Sequence, residues 1–344
     1  MRKYDQLSDG FDKGLEPLKP IDIAQCSSVL ELVKQMRDTA FGGRALGEAH
    51  EVLYEMITDS DCFVVGTFSG AMTIAKMGLL VCEMIERDML DAVVSTGALM
   101  AHGFVESVGH AHFKSDPSVD DLDYYKAGFN RVYDTIELEK NLDDIEKVIS
   151  NVLNKWEEKE SLSSCKFCEE LGKYLLNNTD GRGILKSAAR KNIPVYIPAF
   201  TDSELGIDVG VFRRRQKLNH KPALAFDPFL DMDDYTERII NNKKIGIFTI
   251  GGGVPRNWAQ QVAPYIDILK HKLGEDFPQK RFQYGVRICP EPVHWGGLSG
   301  CTYKEGVSWG KFIPKNQGGK WAEVFADATI AWPLLLRSII ERIE

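Results

Sequence analysis

The sequence lacks any run of about 18 consecutive apolar residues, the length that a membrane-spanning helix needs. It also begins without the apolar segment that marks an export signal. Basic residues are in deficit, since 42 lysines and arginines face 50 aspartates and glutamates, for a net charge of −8. These absences predict a cytoplasmic protein that binds neither membrane nor nucleic acid, and the acidic balance is compatible with a cationic substrate.

Cysteine is scarce and scattered: there are 7, and only Cys165 and Cys168 form a C-x-x-C pair. A zinc site built on that pair would need a second pair at a similar spacing, which the sequence does not contain. The histidines His102, His110 and His112 are close in sequence but have no evident carboxylate or thiol partner. We therefore predict no metal site, and the scattered thiols suggest a reducing compartment.

The dinucleotide-binding fingerprint G-x-G-x-x-G is absent as well. The nearest stretch, Gly251-Gly252-Gly253-Val254-Pro255-Arg256, lacks its last glycine. A tight turn between a strand and a helix explains the triple glycine about as well as a phosphate-binding loop does. The motif alone leaves both interpretations open.

What is present is an alternation of short apolar strands and helices from Cys62 onward. It predicts an α/β fold, with a doubly wound, mainly parallel, Rossmann-like sheet and helices on both faces. Residues 1–50 are expected to form an N-terminal arm with a helix over residues 23–37, and residues 51–344 a single domain. Residues 108–133 are polar and irregular, and a surface excursion is expected there. Strands are predicted at residues 62–67, 91–94, 194–198, 223–226, 245–250, 284–289 and 322–328, and further helices at 72–87, 142–156, 168–176, 235–242, 257–273 and 330–343.

In such a sheet, the loops after the carboxyl ends of the strands build the ligand site. Small residues there let a diphosphate approach backbone N–H groups, and carboxylates suit ribose hydroxyls. The sequence therefore predicts a dinucleotide site in these loops. The residues that the loops carry are Ser69, Thr96, Gly97, Asp202, Gly251, Gly252, Gly253 and Asp327.

Residues 295–311 combine five glycines with two indoles, Trp295 and Trp309, and end at Lys311. Indole faces attract cations, and glycines let backbone approach a ligand. A lysine in an apolar, aromatic setting can lose its proton and become a nucleophile. The alternative is a glycine-rich surface loop with a solvated lysine.

Acidic residues flank these candidate loops. Asp202, Glu204 and Asp208 follow one predicted strand, and Glu291 and Glu305 lie on either side of the glycine-rich stretch. If they face one cleft together with an indole, that cleft suits a flexible polycation. The alternative is that they are solvated surface carboxylates.

Four motifs resemble those of the deoxyhypusine synthase family. Glu305-Gly306-Val307-Ser308-Trp309-Gly310-Lys311 resembles that family's E-A-V-S-W-G-K, which carries its active lysine. The stretches P-A-F-T-D-S at 198–203, G-G-G-V at 251–254 and V-F-A-D-A at 324–328 are similar to P-A-L-T-D-G, G-G-G-V and V-Y-A-D-A. The motifs fall in the same order and cover roughly Cys62 to the C-terminus.

The resemblance implies an NAD-dependent transfer of an aminobutyl group from spermidine, through an imine on Lys311 and with loss of 1,3-diaminopropane. It implies that residues 51–344 bind NAD, and that the protein is a homotetramer with sites at subunit interfaces. Polyamine contacts are implied for Trp309, Glu305 and Asp208. The NAD site would be lined by Ser69, Thr96, Gly97, Asp202, Gly252, Gly253, Ser299, Gly300, Asp327 and Ala328.

Three departures point to the bacterial deoxyhypusine synthase-like branch. Residues 99–102, L-M-A-H, replace part of a G-G-V-E-E motif, and residues 295–300, W-G-G-L-S-G, replace D-G-S-D-S-G, so acids are lost. Asn257 replaces a histidine of a K-H-H motif, and we place Asn257 among the substrate-binding residues. The acceptor implied for that branch is a small diamine such as putrescine, which gives homospermidine, and a translation-factor lysine is the other candidate. The alternative function is a non-catalytic, NAD- or polyamine-binding regulatory protein.

Overall fold

The structure is a computed structural model that describes residues 7–156 and 161–344. The described residues form nine strands: β1 (Cys62–Phe68), β2 (Ala92–Ser95), β3 (Phe113–Lys114), β4 (Phe129–Val132), β5 (Thr135–Leu138), β6 (Val195–Tyr196), β7 (Lys244–Ile250), β8 (Phe282–Ile288) and β9 (Lys320–Val324). Their α-helices are α1 (Val29–Arg37), α2 (Phe41–Thr58), α3 (Gly78–Glu86), α4 (Gly97–Ser107), α5 (Asp121–Lys126), α6 (Glu139–Leu153), α7 (Ser164–Asn178), α8 (Ile184–Lys191), α9 (Glu204–Leu218), α10 (Phe229–Asn241), α11 (Gly253–Leu273), α12 (Tyr303–Ser308) and α13 (Ala328–Ile343).

Six strands form one parallel sheet in the order β6-β2-β1-β7-β8-β9. Counted along the chain within this sheet, the order is 3-2-1-4-5-6, which is that of the doubly wound dinucleotide-binding fold. The chain winds outward from β1 on one side and from β7 on the other. The predicted fold class is confirmed, and the crevice where the winding reverses lies between the ends of β1 and β7.

Both faces of the sheet are buried because successive side chains of a strand point to opposite sides. Val64 belongs to the larger apolar core, in which the Phe68 ring stacks on Trp332 of α13. Val65 belongs to the second core, in which Tyr235 of α10 packs with residues of α11. Continuous apolar strands of this kind are typical of a parallel sheet covered on both faces.

Helix α2 belongs to the main body of the protein. Leu46 and Leu53 lie in the larger core, and Nδ1 of the buried His50 lies 2.8 Å from Oγ of Ser338 in α13. The division predicted at residue 50 falls inside this helix, and it stays a prediction. The first predicted helix is shorter than expected, because α1 begins after Ser28, whose hydroxyl accepts a hydrogen bond from Glu31 N.

Two local predictions were wrong. Residues 108–133 are not irregular, because they contain the helix α5 and the strands β3 and β4. The two strands pair with β5 in a small antiparallel sheet ordered β3-β5-β4. Their strands were missed because β3 and β4 are exposed and lack apolar alternation. Residues 223–226 make only an isolated bridge, between Phe226 and Leu162. No helix in the described part of the chain is long and apolar enough to cross a membrane.

Candidate active site

The crevice between β1 and β7 is lined by backbone and small side chains. Ser69 follows β1, and its N–H donates to Ile250 O at 3.1 Å. Its hydroxyl donates to Gly252 O and accepts from Gly252 N. A Cβ on Gly252 would lie 2.6 Å from Ser299 Cα, so only glycine fits against this second loop. Ser69, Gly252, Gly253 and Ser299, four of the residues predicted to bind NAD, therefore lie together.

Two buried arginines hold the loop that contains Ser299 and the buried Gly300. Arg256 donates to Leu298 O and Cys301 O, both at 2.7 Å. Arg287 donates from Nη1 to Ser299 O and Cys301 O, also at 2.7 Å, and its Nη2 lies 2.8 Å from Glu323 Oε1. The sequence analysis missed both arginines as site residues. Arg287 could have been noticed as a single charge inside an otherwise apolar strand.

The next two predicted loops meet at the start of α4. The Thr96 hydroxyl donates to Gly70 O at 2.6 Å and accepts from Leu99 N, which caps the helix. A Cβ on Gly97 would overlap the side chain of Ser203, the residue that caps α9. Thr96 and Gly97 therefore lie beside the loop that carries the exposed Asp202. At the opposite edge of the sheet, Asp327 follows β9 and directly precedes the buried Ala328. Its carboxylate caps α13 by accepting a hydrogen bond from Thr329 N at 2.7 Å.

Lys311 is buried, with 8% of its surface exposed. Its Nζ donates to Asn257 Oδ1 at 3.0 Å. Its backbone is pinned on both sides, because Lys311 N donates to Gly306 O and Phe282 N donates to Lys311 O. Burial, with the positive charge of Arg256, lowers the pKa of Lys311 below its usual value. The alternative of a solvated surface lysine is excluded by this burial.

The other residues of the lysine motif stand around Lys311. The carboxylate of Glu305, on α12, is exposed but close enough to oppose the lowering of the Lys311 pKa. Trp309 leaves 67% of its surface exposed, and Trp295 leaves 71%. An exposed acid and an exposed indole in the same motif as a buried amine suit the binding of a flexible cation.

Asp208 lies in a different cluster. Burial, and then the negative charges of Glu146, Glu204 and Asp143, raise the pKa of its carboxyl to about 7. These acids belong to α6 and α9, and none belongs to the motif around Lys311. Within one chain, Asp208 therefore shares no hydrogen bond or ion pair with the other predicted substrate-binding residues, Trp309, Glu305 and Asn257, all of which the structure describes.

Each of the three histidines has a carboxylate partner, so the prediction that they lack one was wrong. His102 Nδ1 lies 3.3 Å from Glu137 Oε2, and His112 Nε2 contacts the same oxygen. His110 Nε2 lies 3.9 Å from Asp144 Oδ2. Glu137 was overlooked because β5, which places it in the interior, lies beside the strands that sequence periodicity did not reveal.

Comparison with known proteins decides the family. The family model described as deoxyhypusine synthase matches residues 31–339. The chain belongs to the deoxyhypusine synthase family. The resemblance predicted from the four motifs is thereby confirmed, and the match extends over nearly the whole chain.

Archaeal and bacterial relatives support this membership in the deoxyhypusine synthase family. The chain is 34% identical over 327 residues to the "Probable deoxyhypusine synthase 2" of Methanosarcina mazei, which covers 95% of this chain and 90% of the relative. It is also 34% identical over 340 residues to the "Deoxyhypusine synthase-like protein" of Chlorobaculum parvum, with coverage of 97% and 92%.

A solved structure shares the fold. It is an Entamoeba histolytica protein assigned provisionally as a deoxyhypusine synthase, with a TM-score of 0.60, 16% identity and coverage of 94% of this chain and 97% of that chain. Members of the deoxyhypusine synthase family are transferases of alkyl groups, and this chain is a transferase of that class. Membership implies aminobutyl transfer from spermidine in an NAD-dependent family.

Proposed function

We propose that this chain uses NAD and spermidine to load an aminobutyl group on Lys311 and passes it to a small diamine such as putrescine. The observation that carries the proposal is the buried Lys311 amine, hydrogen-bonded to Asn257 and lowered in pKa, inside the family's lysine motif. A protein lysine, as in deoxyhypusine formation, is the second candidate acceptor.

The crevice between β1 and β7 fits NAD. Helices α4, α9 and α13 are capped by the side chains of Thr96, Ser203 and Asp327. By contrast, α11 begins at Gly253, and no described side chain caps it. The first turn of a helix leaves backbone N–H groups without partners inside the helix. Because α11 starts beside Ser69 and Ser299, its start is a suitable place to bind a diphosphate. Thr96, Gly97, Asp202, Gly300, Asp327 and Ala328 complete the proposed site.

Bound NAD would accept a hydride from the spermidine carbon beside the secondary amine and return it after transfer. The residues of the chain prepare the nucleophile. A neutral Lys311 amine adds to the imine carbon, the bond to the propyl-side nitrogen breaks, and that nitrogen leaves in 1,3-diaminopropane. Asn257 Oδ1 accepts an N–H of Lys311 and so fixes the direction of the nitrogen lone pair. The lowered pKa raises the fraction of amine without a proton.

We propose that the polyamine lies between the Lys311 motif and the acidic cluster of a second copy. Trp309 and Glu305 would bind one end of spermidine. Asp208 and Glu204 would bind the other, and Glu204 Oε2 is buried with no hydrogen-bond partner among the described residues. Among the described residues of one chain, Asp208 and Glu204 share no hydrogen bond or ion pair with the Lys311 motif, and this supports a site shared between subunits, in keeping with a homotetramer.

The choice of a small diamine rests on the loop at residues 295–300, which lacks acids that protein-modifying members have. The 7 cysteines, all free, are consistent with the proposed cytoplasmic location. The alternative, a regulator that binds NAD or polyamine without catalysis, gives no reason for a buried lysine of lowered pKa at this position.

The test is a product analysis. The protein is incubated with NAD and spermidine, with and without putrescine, and the amines are identified by mass spectrometry. We expect 1,3-diaminopropane in both reactions and homospermidine only with putrescine. Absence of 1,3-diaminopropane from both would overturn the transferase proposal, and diaminopropane without homospermidine would point to a protein acceptor.

A further inference from the structure

A second cluster of chemically versatile side chains lies away from the Lys311 site. His102 comes from α4, His112 from the segment before β3, and Glu137 from β5. Their side chains are 8%, 0% and 1% exposed. One ligand atom from each lies within 4.8 Å of the other two. Three segments far apart in sequence thus place two imidazoles and a carboxylate at one interior point.

The spacing of these atoms suits a tetrahedral metal ion. His102 Nδ1 lies 3.3 Å from Glu137 Oε2. Ligand atoms around Zn²⁺, with bonds of about 2.0–2.2 Å, lie roughly 3.3 Å apart in tetrahedral geometry. His112 Nε2 contacts the same Glu137 oxygen, so its ring would have to move back for the three atoms to occupy three corners of one tetrahedron.

The outer polar atoms of the cluster are already satisfied. Glu137 Oε1 accepts from Leu138 N at 3.1 Å and from Asn141 Nδ2 at 3.2 Å. His112 Nδ1 lies 3.3 Å from Glu106 Oε1. These contacts leave Glu137 Oε2 and His112 Nε2 directed inward. A carboxylate behind the far nitrogen of a histidine is the arrangement that orients metal-bound imidazoles.

Lys76 is a cation that already lies beside the cluster. Lys76 Nζ lies 2.7 Å from His112 Nδ1 and also pairs with Glu106. With a metal on Nε2, Nδ1 carries the proton and donates to Glu106, and Lys76 keeps only its Glu106 contact.

We propose that His102, His112 and Glu137 form a Zn²⁺ site, with water as the fourth ligand. Two nitrogens and one carboxylate oxygen are ligands that Zn²⁺ accepts. The proposal departs from the prediction of no metal, because β5 supplies the carboxylate. The ion would tie α4, through His102, to the antiparallel sheet, through Glu137. Since α4 begins at Gly97, the metal steadies one side of the proposed NAD crevice.

The experiment uses the full-length protein, stripped with a chelator and then given Zn²⁺ or Co²⁺ alone. Metal per chain is measured by elemental analysis after gel filtration, and Co²⁺ ligation by visible absorption. We expect one Zn²⁺ per chain, a rise in the unfolding temperature on Zn²⁺ addition, and a Co²⁺ spectrum without thiolate charge-transfer bands. Zinc-free protein that binds no metal and shows no thermal shift would overturn the proposal.

Variants locate the site. His112→Gln and Glu137→Gln should each lose at least about tenfold in Zn²⁺ affinity, and Glu106→Gln should lose about 10–100-fold. His110→Gln is the matched control, because His110 is a neighbouring histidine outside the cluster, and it should bind as the unaltered chain does. Equal affinity in all four variants would contradict the assignment. If a ligand variant does not fold, the proposal is tested by two other measurements: the thermal shift of the unaltered chain on Zn²⁺ addition and the Zn²⁺ affinity of Glu106→Gln.

Discussion

The Nζ of Lys311 lies 3.0 Å from Oδ1 of Asn257. The two residues come from different segments of the chain. Asn257 lies in the first turns of α11, which follows β7, and Lys311 lies between α12 and β9. A neutral amide is the partner that keeps the amine oriented without adding a negative charge. This contact links the nucleophile to the same helix whose start faces the proposed diphosphate.

Asn257→Asp should shift the pH dependence of transfer. The new carboxylate, at hydrogen-bond distance from Nζ, favours protonated Lys311 and raises its pKa. Transfer near neutral pH should fall and recover at alkaline pH. Asn257→Ala serves as control, because it removes the hydrogen bond without adding charge. Rate profiles of the Asp and Ala variants with the same midpoint would contradict the role given to Asn257.

Gly252→Ala should weaken NAD binding and lower the free energy of unfolding. The added Cβ would lie 2.6 Å from Ser299 Cα, so the two loops must separate, at a cost of about 1–3 kcal/mol. Gly210→Ala is the matched control, because nothing lies within 4 Å of its Cβ position on α9, and it should stabilise by up to about 1 kcal/mol. Calorimetric NAD titration and urea unfolding measure both. Unchanged NAD affinity in Gly252→Ala would remove this loop from the cofactor site.

Mixing two inactive variants tests whether the site is shared between copies. Lys311→Arg and Asp208→Asn should each abolish or strongly reduce transfer. If Lys311 of one copy works with Asp208 of another, random mixing after dissociation leaves about a quarter of the sites with both original residues in a two-fold arrangement. Activity should then return to about a quarter of that of the unaltered protein. No recovery, despite demonstrated exchange of chains, would place both residues in one subunit's site.

Asp208→Asn should stabilise the fold more at pH 8 than at pH 5. The folded pKa of Asp208, about 7, lies above the usual 3.8, so the folded state holds this proton more tightly than the unfolded state. The contribution of Asp208 to stability therefore falls as pH rises from about 4 to about 7. Urea unfolding at the two pH values measures this, and an equal effect of Asp208→Asn at both would contradict the raised pKa.

The main sheet could be predicted because its strands are buried on both faces. β1, β7 and β8 read as continuous apolar runs, and small residues follow two of them directly. The antiparallel sheet could not be predicted in this way, because β3 and β4 are exposed on every residue. The same cause hid Glu137, and with it the partner of His102 and His112.

The candidate site was predictable as a set of residue types but not as a geometry. The lysine motif singled out Lys311, yet a sequence does not show that Lys311 is buried or that its hydrogen-bond partner is Asn257, 54 residues away. Arg256 and Arg287 were not recognised, because they act by donating hydrogen bonds to backbone carbonyl oxygens, and a sequence does not show which carbonyl oxygens lie nearby. Asp208 shows the reverse case: the family resemblance placed it with the polyamine, while the fold of one chain places it among other acids.

The central claim is that Lys311 itself carries the aminobutyl group, and chemical trapping tests it most directly. The protein is incubated with NAD and spermidine without added diamine, treated with borohydride, digested, and sequenced by mass spectrometry. We expect one aminobutyl group on Lys311, in the peptide that contains the end of the lysine motif. We expect none in Lys311→Arg protein that still binds NAD. Absence of any adduct while 1,3-diaminopropane is released, or an adduct that persists in Lys311→Arg, would contradict the account.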